Sequence, residues 1–305
     1  MSKRESITEL LEMFLSMKSK NTRRAYGTAI ADFEHQCGKL VSVTAPQAMR
    51  YFAALKIRTA PDGDAIAGAT LRQRYAALNS IYNYLVDMGA LKVNPLRPVA
   101  RAISWRQMAQ KRPTALLPFS SVRRLLRLPM ANTKEGIRDR AILALLFGAG
   151  LRRSEALGLA IGDIKISPWG IMYLDLLHTK GGKRQVRGIA KFAWKYLSTF
   201  ISQRKTEGAQ NGDALFVFYY QTGAIRGAMS EATLYRVFRG YCKQIGIRAA
   251  PHAARTTFGT ALHERTHSDL LVARALGHSG TVQVGRYVKQ REEIELNEIT
   301  ALEYK

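Results

Sequence analysis

Residues 150–159 read GLRRSEALGL, a glycine-led turn that opens a short helix with arginine and glutamate near its start. An apolar run precedes this stretch at 141–149, and an alternating region that contains Gly181-Gly182 follows it at 162–190. Apolar residues at helical spacing predict helices, and period-two alternation around paired glycines predicts a small sheet with a β-hairpin. We therefore expect a mainly α fold with one small β-sheet, and helices again from Lys191 to the end of the chain.

The composition indicates a globular protein with a polyanionic partner. The 305 residues include 47 Lys and Arg against 23 Asp and Glu, a formal net charge of +24, and 47% are hydrophobic. The cationic excess is spread along the chain, since residues 1–112 carry 18 basic and 8 acidic residues. Such a balance favours nucleic acid as the partner. The longest apolar stretch, at 141–151, is too short to span a bilayer, and the start does not resemble a signal peptide. We expect no membrane association, a cytoplasmic (nucleoid-associated) protein, and no disulfide between Cys37 and Cys242.

The first part of the chain has helical periodicity without the alternating segment. Four helices are expected, near Ile7–Leu15, from a cap at Asn21-Thr22, after Pro46, and through Leu71–Leu85. Residues 97–113 show little periodicity and contain several cations, which is typical of a linker lying against phosphate. The predicted domains are 1–105, a helical domain; 106–112, a basic linker; and 113–305, a larger domain with a C-terminal helix.

Three familiar motifs are weak or missing. His263-Glu-Arg-Thr-His267 matches the HExxH pattern of zinc proteases, but we expect the helix to end near Glu264, which puts His267 in a turn. Gly148-Ala-Gly150 lacks the third glycine of a dinucleotide site, and no phosphate-binding GxxxxGK[ST] loop occurs. The sequence therefore predicts neither a metal nor a cofactor.

Five short motifs carry residues that suit phosphodiester chemistry. They are Gly150-Leu-Arg152, Thr179-Lys180-Gly-Gly-Lys183-Arg184, His252-Ala-Ala-Arg255, Leu276-Gly-His278-Ser and Arg286-Tyr287. Two arginine forks can hold a phosphodiester and neutralise charge that develops on its non-bridging oxygens. A tyrosine hydroxyl can attack phosphorus once a neighbouring group helps to remove its proton, and a lysine can protonate the departing sugar oxygen. Such a site needs no metal.

These motifs, in this order, resemble the tyrosine recombinase family of the Xer and phage-integrase type. The resemblance implies that Arg152 and Arg255 clamp the scissile phosphate, and that Tyr287 is the nucleophile. It also implies that Lys180 protonates the 5′ oxygen, with Lys183 as the competing candidate, that His252 is the acid/base, and that His278 hydrogen-bonds the phosphate. Glu155 would orient Arg152. Thr256 and Arg153 depart from the usual pattern, and Arg153 leaves the choice of arginine open.

The resemblance further implies a two-domain, C-shaped clamp on double-stranded DNA that carries an inverted-repeat core site, with residues 1–105 as the core-binding domain and 113–305 as the tyrosine recombinase catalytic domain. A homo- or hetero-tetramer would exchange strands through a 3′-phosphotyrosyl intermediate and a Holliday junction, without ATP or metal. The acidic amphipathic stretch 292–305 would pack on its own domain or, as the family analogy favours, dock on the neighbouring subunit. The alternatives are a type IB-like topoisomerase and a catalytically silent DNA-binding protein. The expected DNA-contacting residues are Arg23, Arg24, Arg72, Arg74, Arg101, Arg106, Lys111, Arg112, Lys183 and Arg184.

Overall fold

The computed structural model describes residues 6–57, 68–103, 115–176 and 184–277. The chain divides into two compact units, Met1–Arg112 and Pro113–Lys305. Both are built mainly from helices, and the second also holds two small antiparallel sheets. The expected fold class, mainly α with a small sheet in the second half, is confirmed.

The first unit is a helical bundle. Its helices are α1 (Ile7–Ser16), α2 (Lys20–Cys37), α3 (Ala45–Ile57), α4 (Gly68–Asp87) and α5 (Arg97–Ala102). Phe33 and Leu78 are completely buried between them, and Tyr82 is buried with its hydroxyl donating to the Leu40 carbonyl. These side chains form the core that the apolar periodicity predicts.

Two details of this unit differ from the sequence analysis. Ser19, rather than Asn21-Thr22, caps α2, because its hydroxyl accepts the Thr22 amide hydrogen while its own backbone stays extended. The predicted linker stretch also begins with a helix, α5, whose Val99 is completely buried. Pro98 fits there because the first helical turn needs no amide donor. Residues 106–112, the predicted linker itself, lie outside the described residues.

Helix α7 (Lys134–Ala149) is the centre of the second unit. Every residue from Ala141 to Ala149 is buried, which is why this segment is apolar all round rather than on one face. The helix packs against α9 (Lys191–Thr206) and α11 (His252–Thr266). The remaining helices are α6 (Phe119–Arg127), α8 (Arg153–Leu157), α10 (Glu231–Gln244) and α12 (Asp269–Leu276).

The predicted small sheet is present. It contains β1 (Ile164–Ile166), β2 (Met172–Leu176) and β3 (Gln185–Gly188) in antiparallel order, with Leu174 opposite Arg187. The loop between β2 and β3, residues 177–183, lies outside the described residues.

A second hairpin, β4 (Val217–Tyr219) with β5 (Ile225–Ala228), corrects the expectation of helices alone after Lys191. Strands this short give too few alternations for a period to be recognised.

Within the described ranges, no helix combines the length and the apolar character that crossing a bilayer requires.

Candidate active site

A buried carboxylate lies at the centre of the second unit's cluster of cations. Helix α7 ends at Gly150, and Arg152 then becomes the N-cap residue of the short helix α8. Glu155, in the first turn of α8, accepts the Arg152 backbone amide at 2.9 Å and the Arg152 guanidinium at 2.6 Å. The Glu155 side chain is only 3% exposed, whereas that of Arg152 is 30% exposed. The motif thus leaves Arg152 partly exposed to solvent, while the buried Glu155 carboxylate holds its guanidinium in place.

Glycine is required at position 150 because the backbone there is left-handed and closely packed. Gly150 has φ of +58°, which L side chains rarely adopt. A methyl group at this position would overlap the ring of Phe258 and lie 2.8 Å from the Leu276 side chain. The tight approach brings the end of α7 against α11 and α12.

Arg255 joins the ends of two helices to this cluster. Its side chain is 1% exposed and donates to the Gly150 carbonyl at 2.6 Å and to the Leu276 carbonyl at 2.5 Å. Its Nη1 also lies 3.7 Å from Glu155 Oε2. Arg255 and Arg152, the two predicted clamp residues, therefore lie against the same carboxylate.

The third cation is Arg187, which the sequence analysis did not single out. It lies on β3 with its side chain 2% exposed, and its Nη1 donates to Glu155 Oε2 at 2.9 Å. Its neighbour Val186 is 63% exposed, so the charged residue points inward and the apolar residue outward. Period-two alternation identified the strand, but hydrophobicity alone would assign Arg187 to the wrong face.

The electrostatics of the cluster favour an anion. Burial by itself raises the pKa of the Glu155 carboxyl, but hydrogen bonds from Arg152 and the charge of Arg187 outweigh burial, so this pKa lies below its ordinary value. Burial lowers the pKa of Arg187, and the Glu155 charge opposes that effect. Three guanidinium groups around one carboxylate leave an excess of positive charge, and Arg152 can present it to a phosphate.

The segment that contains this cluster is similar in sequence to a known protein family. The sequence profile of the Phage integrase family matches residues 116–293, more than half of the chain. The chain belongs to this family.

Curated relatives of this integrase-family chain include the tyrosine recombinase XerS of Streptococcus agalactiae serotype III (strain NEM316), 36% identical over 146 residues. XerS of Streptococcus pyogenes serotype M49 (strain NZ131) is 33% identical over 144 residues. Each alignment covers 47% of this chain and 39% of the relative, so the matched segment is well under half of those proteins.

Solved structures of similar fold cover nearly the whole chain. One is the XerH site-specific recombinase bound to palindromic difH substrate in a post-cleavage complex (TM-score 0.68, 20% identity, 94% of this chain and 83% of that one). Another is a lambda integrase dimer bound to a COC′ core site (TM-score 0.66, 16% identity, 98% of this chain and 80% of that one). At these identities the likeness concerns the fold.

The remaining predicted site residues of the integrase-family chain fall into two groups. His252 is the first residue of α11, exposed and one helical turn before Arg255. The structure does not describe the others, which are Lys180, Lys183, His278 and Tyr287. Arg153, the rival of Arg152, pairs with Glu231 at 3.2 Å and stacks on Tyr235, so it points away from Glu155 toward α10.

The expected DNA-contacting residues of the first unit differ in their exposure and in their hydrogen-bond partners. Arg24, Arg72 and Arg101 are exposed. The Arg23 guanidinium donates to the carbonyls of Leu15 and Ser16 at 3.1 Å, where it caps α1.

Arg74 is only half-buried, and its guanidinium pairs with Asp32 at 2.5 Å. The same carboxylate accepts the Tyr51 hydroxyl at 2.7 Å. Arg184, in the second unit, pairs with Asp175 at 2.6 Å beside β2. Arg106, Lys111 and Arg112 lie outside the described residues. Arg74 and Arg184 therefore each have a carboxylate partner within the protein.

A cationic stripe on α10 escaped the sequence analysis. Arg236, Arg239 and Lys243 are exposed and line one groove with Arg248 and the ring of Tyr235. Their spacing of three and then four residues places them on one helix face, and this periodicity of charge, rather than of hydrophobicity, was the available signal.

The HExxH pattern resolves into a helix end. Helix α11 continues to Thr266, slightly beyond the expected end, and His267 adopts the left-handed conformation that terminates it. Ser268 then caps α12, and His263 Nε2 lies 3.1 Å from Asp269 Oδ1. Among the described residues, no group of three or more His, Cys, Asp or Glu side chains is arranged to hold a metal ion.

Proposed function

We propose that the chain is a site-specific DNA recombinase of the tyrosine type, which cuts and rejoins DNA through a covalent protein–DNA intermediate. The observation that carries the proposal is the Glu155 cluster, in which Arg152 and Arg255 share one carboxylate while Arg152 remains accessible. The family membership and the order of the motifs through Tyr287 support it.

The proposed cleavage step balances without a cofactor. The Tyr287 oxygen attacks the scissile phosphorus, a phosphotyrosyl ester forms to the 3′ side, and the bond from phosphorus to the 5′ oxygen breaks. His252 is the proposed acid/base for the tyrosine proton, and Lys180 the proposed donor of a proton to the departing 5′ oxygen. Arg152 and Arg255, with His278, stabilise the charge on the non-bridging oxygens. The reverse reaction with another 5′ hydroxyl rejoins the strand, so the energy of the broken bond is conserved.

Double-stranded DNA is the proposed partner. The exposed cations Arg24 and Arg72 in the first unit and the α10 stripe in the second are candidates for phosphate contact. The XerH and lambda integrase structures of similar fold are complexes with DNA, which supports the same ligand class here. This partner implies action at the nucleoid.

A pool of nicked duplexes with a randomised inverted repeat tests the proposed chemistry. Cleavage beside the nick releases the short fragment that carries the new 5′ hydroxyl, and its diffusion prevents rejoining, so a recombinase accumulates as a protein–DNA band that survives denaturation. We expect the wild-type band, none with Tyr287→Phe, and a normal band with Tyr220→Phe, a matched change at a half-exposed tyrosine in the same unit. A band that persists with Tyr287→Phe would mean that another residue is the nucleophile. No band with the wild type would favour a catalytically silent DNA-binding protein.

Sequencing the trapped DNA would give the target site for a second measurement. On a plasmid with two such sites, a recombinase gives recombined products. Relaxation of supercoils without joined products would instead indicate a topoisomerase.

Assembly on DNA is a separate part of the proposal. We expect a tetramer in which the acidic stretch 292–305 docks on a neighbouring subunit. Deleting residues 292–305 should abolish cooperative binding to paired sites and leave binding to a single half-site intact. Unchanged cooperativity in a gel-shift titration would refute this role.

A further inference from the structure

We propose that Arg187 is a positioning residue for DNA cleavage, which holds Glu155 and the end of α12 where they aim Arg152 and Arg255 at the scissile phosphate. The inference rests on the proposed function, because it concerns how the same site is kept in geometry. The Arg187 guanidinium donates to Glu155, Gln185 and the Leu276 carbonyl, so we assign it to the support of the clamp rather than to contact with the phosphate.

The contacts of Arg187 connect three separate elements of the second unit. Its Nη1 donates to Glu155 Oε2 at 2.9 Å, and its Nη2 lies 3.4 Å from Glu155 Oε1. Nη2 also donates to Gln185 Oε1 at 2.8 Å and to the Leu276 carbonyl at 3.2 Å. One planar guanidinium therefore ties β3 to α8 and to the last residue of α12.

Two of the three residues that accept from Arg187, Glu155 and Leu276, are shared with the proposed phosphate clamp. Glu155 Oε2 accepts the Arg152 backbone amide and lies 3.7 Å from Arg255 Nη1. The Leu276 carbonyl accepts from Arg255 as well. Because Arg152 and Arg255 each depend on an atom that Arg187 holds, a displacement of Arg187 is transmitted to both clamp residues.

Stability alone does not account for a cation at this position. The cross-strand partner of Arg187 is Leu174, a completely buried apolar residue, so the inner face of the sheet accommodates an apolar side chain. A buried ion pair is often no more stable than hydrophobic residues of similar volume. Among the atoms that the structure describes, Arg187 Nε has no hydrogen-bond acceptor, which adds to the cost of burial. The charge of Arg187 instead fixes the position of the Glu155 carboxylate.

The test compares Arg187→Met and Arg187→Lys with the wild type and with Arg204→Met. Arg204 is a matched control, since it is a buried arginine of the same unit that pairs with Glu207 at 2.9 Å and donates to the Ala214 carbonyl.

The measured quantities are the single-turnover rate of covalent adduct formation at saturating protein, the half-site dissociation constant and the thermal midpoint. We expect Arg187→Met to slow adduct formation by about 10- to 100-fold, as small misplacements of reacting groups do, with DNA affinity nearly unchanged. Arg187→Lys, which can donate to one or two of the acceptors, should recover part of the rate.

A second substrate separates positioning from general damage. In a methylphosphonate, one non-bridging oxygen of the scissile group is replaced by a methyl group, so the linkage is uncharged and depends less on aligned cations. Relative to wild type, the defect of Arg187→Met should shrink on this linkage, while any defect of Arg204→Met should be equal on both.

Three results would overturn the proposal: a wild-type rate in Arg187→Met, an equal loss on both linkages, or an equal loss in Arg204→Met. If Arg187→Met does not fold, Arg187→Lys is judged by the same comparison of linkages. Absence of an adduct with wild-type protein would instead count against the proposed function.

Discussion

Replacing Glu155 by glutamine would remove the negative charge between three guanidinium groups while keeping the shape of the side chain. In the native protein the two carboxylate oxygens accept from Arg152 and Arg187 and lie near Arg255. Glutamine retains one acceptor oxygen and turns an amide NH2 toward an arginine that can only donate. The substitution thus leaves buried positive charge without compensation.

The expected loss of stability follows from the exposure of each partner. Arg152 is 30% exposed and can turn toward water, so its share of the loss is small. Arg187 is 2% exposed and has no such escape. Breaking a buried ion pair by removing one partner typically costs about 3–5 kcal/mol, so we expect Glu155→Gln to lower the free energy of unfolding of the second unit by about that amount.

The assay is urea unfolding of the full chain, followed through one tryptophan of the second unit. Trp194 on α9 is partly buried, with its indole NH donating to the Ile189 carbonyl at 2.7 Å. Changing Trp105 and Trp169 to Phe makes Trp194 the sole indole; at Trp169, which is 83% exposed, this costs little. A reporter confined to one unit is needed because a two-unit chain need not unfold in a single transition.

The double variant Glu155→Gln with Arg187→Met decides whether the reasoning holds. Removing both charges should leave the second unit more stable than Glu155→Gln alone, by at least about 1 kcal/mol, since no uncompensated cation remains at position 187. Additive losses in the two single variants, or a loss below about 1 kcal/mol in Glu155→Gln, would refute the account of the buried pair.

Three further predictions concern backbone strain, DNA contact and pH. Gly150→Ala should cost more free energy of unfolding than Gly246→Ala by about 1–3 kcal/mol, since both glycines have positive φ but only the former would meet a neighbouring ring; urea midpoints compare them. Arg24→Gln should weaken DNA binding and reduce the slope of log affinity against log salt by about 0.9, whereas Arg23→Gln, at a guanidinium that already caps α1, should chiefly lower the thermal midpoint. The lowered pKa of Glu155 adds stability that is fully present above the ordinary value of 4.5 and lost as pH falls through the folded pKa, so the gap in urea midpoint between wild type and Glu155→Gln should narrow in acid.

The parts of this fold that could be predicted from sequence are those set by neighbours along the chain. The apolar run before Gly150 identified α7 because a helix buried on all sides must be apolar on all sides. Arg152 and Glu155 could be recognised as a pair because they are three residues apart at the start of a helix. At that spacing the carboxylate of the later residue reaches the backbone amide of the earlier one.

The parts that could not be predicted depend on partners far apart in sequence. Arg187 meets Glu155 across 32 residues, and its strand turns a charge inward, against the usual pattern. Arg74 appeared to be a surface cation until α4 packed it against Asp32, 42 residues earlier. Short strands such as β4 and β5 give no period long enough to recognise, and their pairing is visible only in three dimensions.

The guanidinium groups of Arg187 and Arg255 both donate to the Leu276 carbonyl and so fix the end of α12. Tyr287 is the tenth residue after Gly277, and an extended chain covers at most about 3.3–3.6 Å per residue. Covalent geometry therefore limits the distance from the Gly277 Cα to the Tyr287 Cα to roughly 35 Å. For the proposed Tyr287 nucleophile, the target phosphorus must lie within that distance plus the length of the tyrosine side chain, on its own half-site or on an adjoining one.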